Sequence, residues 1–145
     1  MPVGQCVAVG RCARIVAPDV LAGLYLTTDL QHDVPADVVV APPVIATQAR
    51  VALGDHVAHA LGTPTVLVLI GERPGLSVAD SVGIYLTHRA DADDFATGPS
   101  DADRNCISNI HPPDGLGYAA AAAVVAGLVT GARRLGRSGV DLKDT

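Results

Sequence analysis

The residues best suited to chemistry sit in Gly71-Glu72-Arg73-Pro74-Gly75. Two glycines, a proline and two opposite charges follow directly on the aliphatic run Thr65–Ile70. A carboxylate offers acceptors only, which suit ribose hydroxyls or ligand amides, so Glu72 is the sharpest candidate. The plainer alternative is a surface glutamate in a tight turn, paired with Arg73. Cys106 comes second, inside the polar segment Asp103-Arg104-Asn105-Cys106-Ile107-Ser108-Asn109. A thiol more often serves as a small buried hydrophobe than as a ligand. His56 and His59 are three apart and can share a helix face, but no third metal ligand accompanies them, and His111 has no metal spacing. The chain carries no GxGxxG after a first strand, no GxxxxGKS/T and no GxSxG, so a nucleotide site finds little support and no Ser-His-Asp set can be assigned.

The elements that must position these residues can be read from periodicity. Thr65–Ile70 is β-branched and aliphatic throughout, the pattern of a strand buried on both faces in the middle of a parallel sheet. Glu72 then falls at the carboxyl end of a central strand, where open α/β sheets bind ligands. Before it, Cys6–Val9 and Cys12–Ala17 are candidate short strands, and Pro18 to Thr28 reads as a helix opened by Pro18 and Asp19. Asp29–Pro35 is a polar connection. Asp37–Ala41 is a short strand stopped by Pro42-Pro43, and Val44–Ala46 extends beyond them. Leu53, Val57 and Leu61, spaced by four, predict an amphipathic helix over Ala52–Leu61, weakened by Gly54 and stopped by Gly62. Ser77–Asp80 has capping-box spacing for a helical turn. Val82–Thr87 is a strand, and residues 89–103 are acidic and small, predicting a solvated loop. Arg104–Ile110 returns to apolar alternation, and Pro112-Pro113-Asp114-Gly115 is a turn. Tyr118–Leu135 is alanine-rich and is the longest predicted helix, ended by Gly136 with Arg133 and Arg134 in its last turn. The tail Arg137–Thr145 is expected to dock only in part. The alternation of strand and helix predicts an α/β, doubly wound and mostly parallel sheet with helices on both faces.

The bulk composition sets limits. With 145 residues, 49% hydrophobic and 3% aromatic and no Trp, the core must be Val, Leu, Ile and Ala in one domain, 1–145. A net charge of −5 and the lack of a Lys/Arg stripe argue against nucleic acid. The longest apolar run, Tyr118 to Gly131, is short for a membrane span, and the N-terminus lacks the basic region of a signal peptide, so an intracellular protein is expected. Cys6, Cys12 and Cys106 have no CxxC spacing and an odd count, which disfavours a disulfide framework.

Three segments go further. Gln48-Ala49-Arg50-Val51-Ala52-Leu53-Gly54-Asp55, Ile70-Gly71-Glu72-Arg73-Pro74-Gly75-Leu76 and Ala102-Asp103-Arg104-Asn105-Cys106-Ile107-Ser108-Asn109-Ile110 closely resemble the small subunit (light chain) of ethanolamine ammonia-lyase. Tyr118–Val124 and Ser138-Gly139-Val140-Asp141-Leu142-Lys143 continue the match, which runs from about Pro42 to Asp144 in family order. The resemblance implies a Rossmann-like subunit that pairs with a TIM-barrel large subunit and helps bind adenosylcobalamin (coenzyme B12) between them. The large subunit holds the substrate and the radical-handling residues for turning ethanolamine into acetaldehyde and ammonia, so no catalytic residue and no metal ligand is expected on this chain. The positions that contact the cofactor carry over as Val51, Glu72 and Cys106. It implies a cytoplasmic protein, housed in a bacterial microcompartment in part of the family, with neither nucleic acid nor membrane as partner. Family members are longer at the N-terminus, with a helical extension and an SDGLS-like segment. Residues 1–41 match only loosely, so a truncated or divergent copy is expected. The alternative of another class is a non-catalytic paralogue serving as a binding or interaction module.

Overall fold

The structure, a computed structural model, describes residues 5–12, 29–30, 32–41, 44–47, 50–71 and 81–143. In chain order the elements are β1 (Gln5–Cys12), β2 (Val39–Val40), β3 (Val44–Thr47), α1 (Leu53–Leu61), β4 (Thr65–Gly71), β5 (Val82–His88), β6 (Arg104–Ile110) and α2 (Tyr118–Leu135). Two 3-10 helices, Ala92–Thr97 and Asp101–Asp103, lie between β5 and β6. The predicted helix over Pro18 to Thr28, the Ser77–Asp80 turn and Glu72 itself lie outside the described residues.

The β-branched run becomes β4, and its first five residues are buried. It lies inside a six-stranded sheet ordered β2-β1-β4-β5-β6, with β3 also paired to β1. The pairings of β1 with β2, β3 and β4 are parallel. From β4 onward the direction changes: β4 pairs β5 antiparallel, from Thr65 opposite His88 to Gly71 opposite Val82, and β5 pairs β6 antiparallel. The expectation of a Rossmann-like, doubly wound, mostly parallel sheet is therefore overturned. The best-formed part of the sheet is the three-stranded antiparallel unit β4–β5–β6. Besides α1 and α2, Asp29, Leu30, His32 and Asp33 are helical, where a polar connection was expected. The physical reason lies in the connections. A parallel pair needs a long crossover, usually a helix, whereas an antiparallel pair does not. Residues 89–103 supply short 3-10 turns, which return the chain alongside the strand it has just left.

The two faces of the sheet are covered differently. On one face Leu67, Leu69, Ile84, Leu86 and Ile107 pack against Val125, Val129 and Ala132 of α2. On the other, Val66 and Val68 pack against Ala58 of α1 and Phe95 of the first 3-10 helix. Alternation along β4 sends odd and even residues to opposite faces, which explains why an unbroken aliphatic run was needed.

Both helices end as their sequences dictate, with Gly62 and Gly136 in the left-handed conformation at φ 63° and 80°. The buried face of α1 differs from the one its leucines predict. Gly54, Asp55 and Ala58 face inward, whereas Leu61 is 50% exposed. A Cβ at Gly54 would collide with Cγ2 of Val68, so the helix seats itself on its small residues and lies close against β4.

Residues 89–103 are more ordered than a solvated loop. Phe95 is buried, and Asp91 accepts the Asp93 N–H at 2.9 Å. Ser100 donates its N–H (2.8 Å) and hydroxyl (2.9 Å) to Asp103, whose carboxylate also pairs with Arg89 at 3.1 Å. These two Ser100 bonds, with the Arg89 charge beside them, hold the Asp103 pKa below the usual carboxylate value. The tail docks along β6. Asn105 accepts the Gly139 N–H at 2.7 Å and donates its amide to the Gly139 and Leu142 carbonyls at 3.3 and 3.4 Å. Ser138 donates to the Asp103 carbonyl at 2.6 Å. Gly139 has φ 101°, and a Cβ there would collide with the Ala102 carbonyl, so only glycine fits this strap.

Candidate functional site

Strand directions bring distant segments to one edge. Because β1 runs parallel to β3 and β4, and β6 runs antiparallel to β5, the carboxyl ends of β3, β4 and β6 share the edge at which β5 begins. Val51 lies between β3 and α1 in the turn that opens the helix, where its carbonyl accepts the Gly54 N–H at 3.0 Å. Its side chain is half-buried. β4 ends at Gly71, immediately before Glu72.

Cys106 is the third residue of β6, exposed, and opposite Tyr85. Tyr85 in turn stands opposite Val68, which packs on the α1 side of the sheet. Cys106 therefore belongs to the face that carries α1, and Ser108, two residues on, is exposed as well. Cys106 thus faces the α1 side of the sheet, Val51 lies in the turn that opens α1, and the strand that leads to Glu72 ends at the shared edge.

The group that fixes this geometry was not selected from sequence. Arg104, on β6, donates to both carboxylate oxygens of Asp55 on α1, at 2.8 and 2.7 Å. It also donates to the Thr87 hydroxyl and the Pro99 carbonyl, each at 3.0 Å. Both side chains are only 6% exposed. The hydrogen bonds to Asp55 raise the Arg104 pKa against the opposing cost of burial, so the guanidinium stays charged. A bidentate Arg–carboxylate pair is directional, and this one locks the first turn of α1 to the start of β6. Nothing in sequence links residues 49 apart, and Asp55 alone looks like a first-turn acid that favours the helix dipole.

At the carboxyl end of β6, Asn109 adopts φ 62°, a conformation asparagine tolerates, and its Oδ1 lies 2.6 Å from His111 Nε2. His111 is buried in this local contact. His56 is exposed, and His59 stands 3.9 Å from Asp93. Among the described residues no three His, Cys, Asp or Glu side chains are grouped to hold a metal ion. No helix among them is long and apolar enough to cross a membrane.

Known proteins agree on the origin of these segments. The family model described as ethanolamine ammonia-lyase light chain (EutC) matches residues 6–143, beginning well before Pro42. An ethanolamine ammonia-lyase small subunit from Rhodococcus erythropolis is 74% identical over 106 residues, covering 73% of this chain and 39% of that protein. Proteins of the same name from Ralstonia nicotianae and Rhodopseudomonas palustris are each 49% identical, covering 72% and 75% of this chain and 36% and 40% of their own lengths. The chain thus spans about two fifths of the length of the curated relatives it matches. With a family model matched across nearly its whole length, the chain belongs to the ethanolamine ammonia-lyase light chain family.

Proposed function

We propose that this chain forms one wall of an adenosylcobalamin site, completed by an ethanolamine ammonia-lyase large subunit that holds the substrate. The observation that carries the reading is the convergence of the family segments. The Arg50–Asp55 segment opens α1, Gly71 ends β4, and the Arg104–Ile110 segment is β6, all on one edge or face of the sheet. The residues present there suit the cofactor. Cys106 and Ser108 are small and exposed on β6, which suits contact with a broad, amide-rich ring. Val51 offers apolar contact, and Glu72 offers acceptors for amide or hydroxyl hydrogens. The Arg104–Asp55 pair fixes α1 against β6, so these contacts come from rigid elements. The cofactor, when bound, supplies the radical chemistry that turns ethanolamine into acetaldehyde and ammonia, while this chain binds and orients. The reading puts the protein in the cytoplasm, within a microcompartment where ethanolamine breakdown is so housed.

Co-expression with a cognate large subunit, followed by cobalamin titration and an acetaldehyde assay, tests it. The complex is expected to bind cobalamin and to release acetaldehyde. Glu72→Ala removes hydrogen bonds to a charged acceptor, a loss on the order of 1.5–3 kcal/mol, or roughly tenfold to hundredfold in affinity. The melting temperature of the cofactor-free complex should not move. A lowered melting temperature with unchanged affinity makes Glu72 a structural residue and removes it from the site. Cobalamin binding without acetaldehyde makes the chain a binding module and overturns the catalytic reading.

A further inference from the structure

At the sheet edge opposite Gly71, Thr65 begins β4 and His88 ends β5. A cleft of about 590 Å3 opens there, and His88, Asp37, Thr130, Arg133 and Arg134 are among the residues that line it. His88 is 5% exposed, and its Nδ1 lies 2.7 Å from the Thr65 hydroxyl. Thr65 is buried, and this ring is the sole side-chain hydrogen-bond partner of its hydroxyl among the described residues. A buried hydroxyl donates where it has one acceptor to give to, so Nδ1 accepts and the imidazole proton sits on Nε2. No described protein group takes up that Nε2–H. Burial, with the Arg133 charge nearby, pushes the His88 pKa down to about 4, so the ring is a neutral donor at neutral pH.

The charges around it are unbalanced. Arg133 and Asp37 satisfy one another through contacts of 3.3 and 2.6 Å. The Thr130 hydroxyl is turned to the Ala126 carbonyl at 2.9 Å. Arg134 is exposed and has no ion pair or side-chain hydrogen bond among the described residues. One positive charge is left uncompensated beside one unspent neutral donor. The carboxyl end of α2 opposes an anion with about half a charge, which a full guanidinium charge outweighs.

We infer that this cleft binds a small oxyanion, a carboxylate or a phosphate, between the His88 Nε2–H and the Arg134 guanidinium. A planar guanidinium grips either group through paired hydrogen bonds, and the imidazole supplies a donor of fixed position. The inference is independent of cobalamin and is tested on the full chain alone. The His88 ring resonances are followed by NMR at neutral pH and constant ionic strength, with sodium phosphate in one titration, sodium acetate in a second and sodium chloride in a third. The expected result is a saturable shift with phosphate or acetate and none with chloride; the tighter of the two identifies the ligand class. Arg134→Ala should weaken that binding at least tenfold with an unchanged melting curve, and Arg134→Lys should restore part of it. No saturable shift with either oxyanion, an equal response to chloride, or unaltered affinity in Arg134→Ala overturns the inference.

Discussion

Arg104 and Asp55 illustrate how much rests on single residues that carry no motif of their own. Their pair is nearly dry, so removing one partner strands a charge in a low-dielectric site. Asp55→Asn should cost on the order of 3–5 kcal/mol, read by urea unfolding, whereas replacing both residues by apolar ones of similar size should recover most of the loss. A cost under about 1 kcal/mol for Asp55→Asn would mean that water reaches the pair. His88 gives a second residue-scale expectation. Its pKa falls from 6.5 to about 4 on folding, so the unfolded chain takes up the proton first. The stability it contributes is complete above about pH 6.5 and is lost as pH falls toward about 4, by about 3 kcal/mol in all. Unfolding free energies across this window should slope in the native chain and flatten in His88→Gln. The sequence singles out Glu72 and Cys106 as candidates because a charge after a buried strand and a thiol in a polar run are locally odd. The Arg104–Asp55 pair and the His88–Thr65 contact were not, since each joins residues far apart whose local surroundings are ordinary.

At the level of elements, positions were easier to read than orientations. α2 spans Tyr118–Leu135 as its alanines and the terminal glycine dictate, and β4 and β5 fall where the aliphatic runs lie. The reversal of direction after β4 was hidden because the unbroken aliphatic run records burial on both faces, which β4 has although it pairs β5 antiparallel, and residues 89–103 gave no sign of the 3-10 turns. The face of α1 was misjudged for a related reason. Spacing of large apolar residues marks Leu53, Val57 and Leu61, of which Val57 does pack against the core, but the closest helix–sheet contact selects small ones. Gly54→Ala tests this. Alanine is the better helix former by about 1 kcal/mol, so an exposed site would gain stability. Here the added methyl meets Val68, and overpacking of this kind costs about 1–3 kcal/mol, so the variant should be less stable. In a Val68→Ala background the same change should turn neutral or favourable, and a double-mutant cycle measures the coupling.

Across the whole molecule, composition could say only that the core is rich in Val, Leu and Ala and poor in aromatics; Phe95 is the one buried aromatic among the described residues. Family membership came from ordered segments rather than from bulk properties, because many chains share a composition and few share several motifs in one order. The strap at residues 138–142 has a consequence at this scale. β6 is the last strand of the described sheet, and an uncovered outer strand is a template on which a second chain can add. By occupying the Asn105 amide and lying beside the Ala102 carbonyl, the strap guards one end of that template. A chain ending at Arg137 should keep both core clusters yet assemble with itself over time, scored by turbidity and thioflavin fluorescence, and Asn105→Ala should do so more slowly. A truncated chain that stays monomeric by sedimentation would show that the strap serves packing alone. If the truncated chain does assemble, residues 138–142 act less as a fastening than as a guard against other copies of the chain.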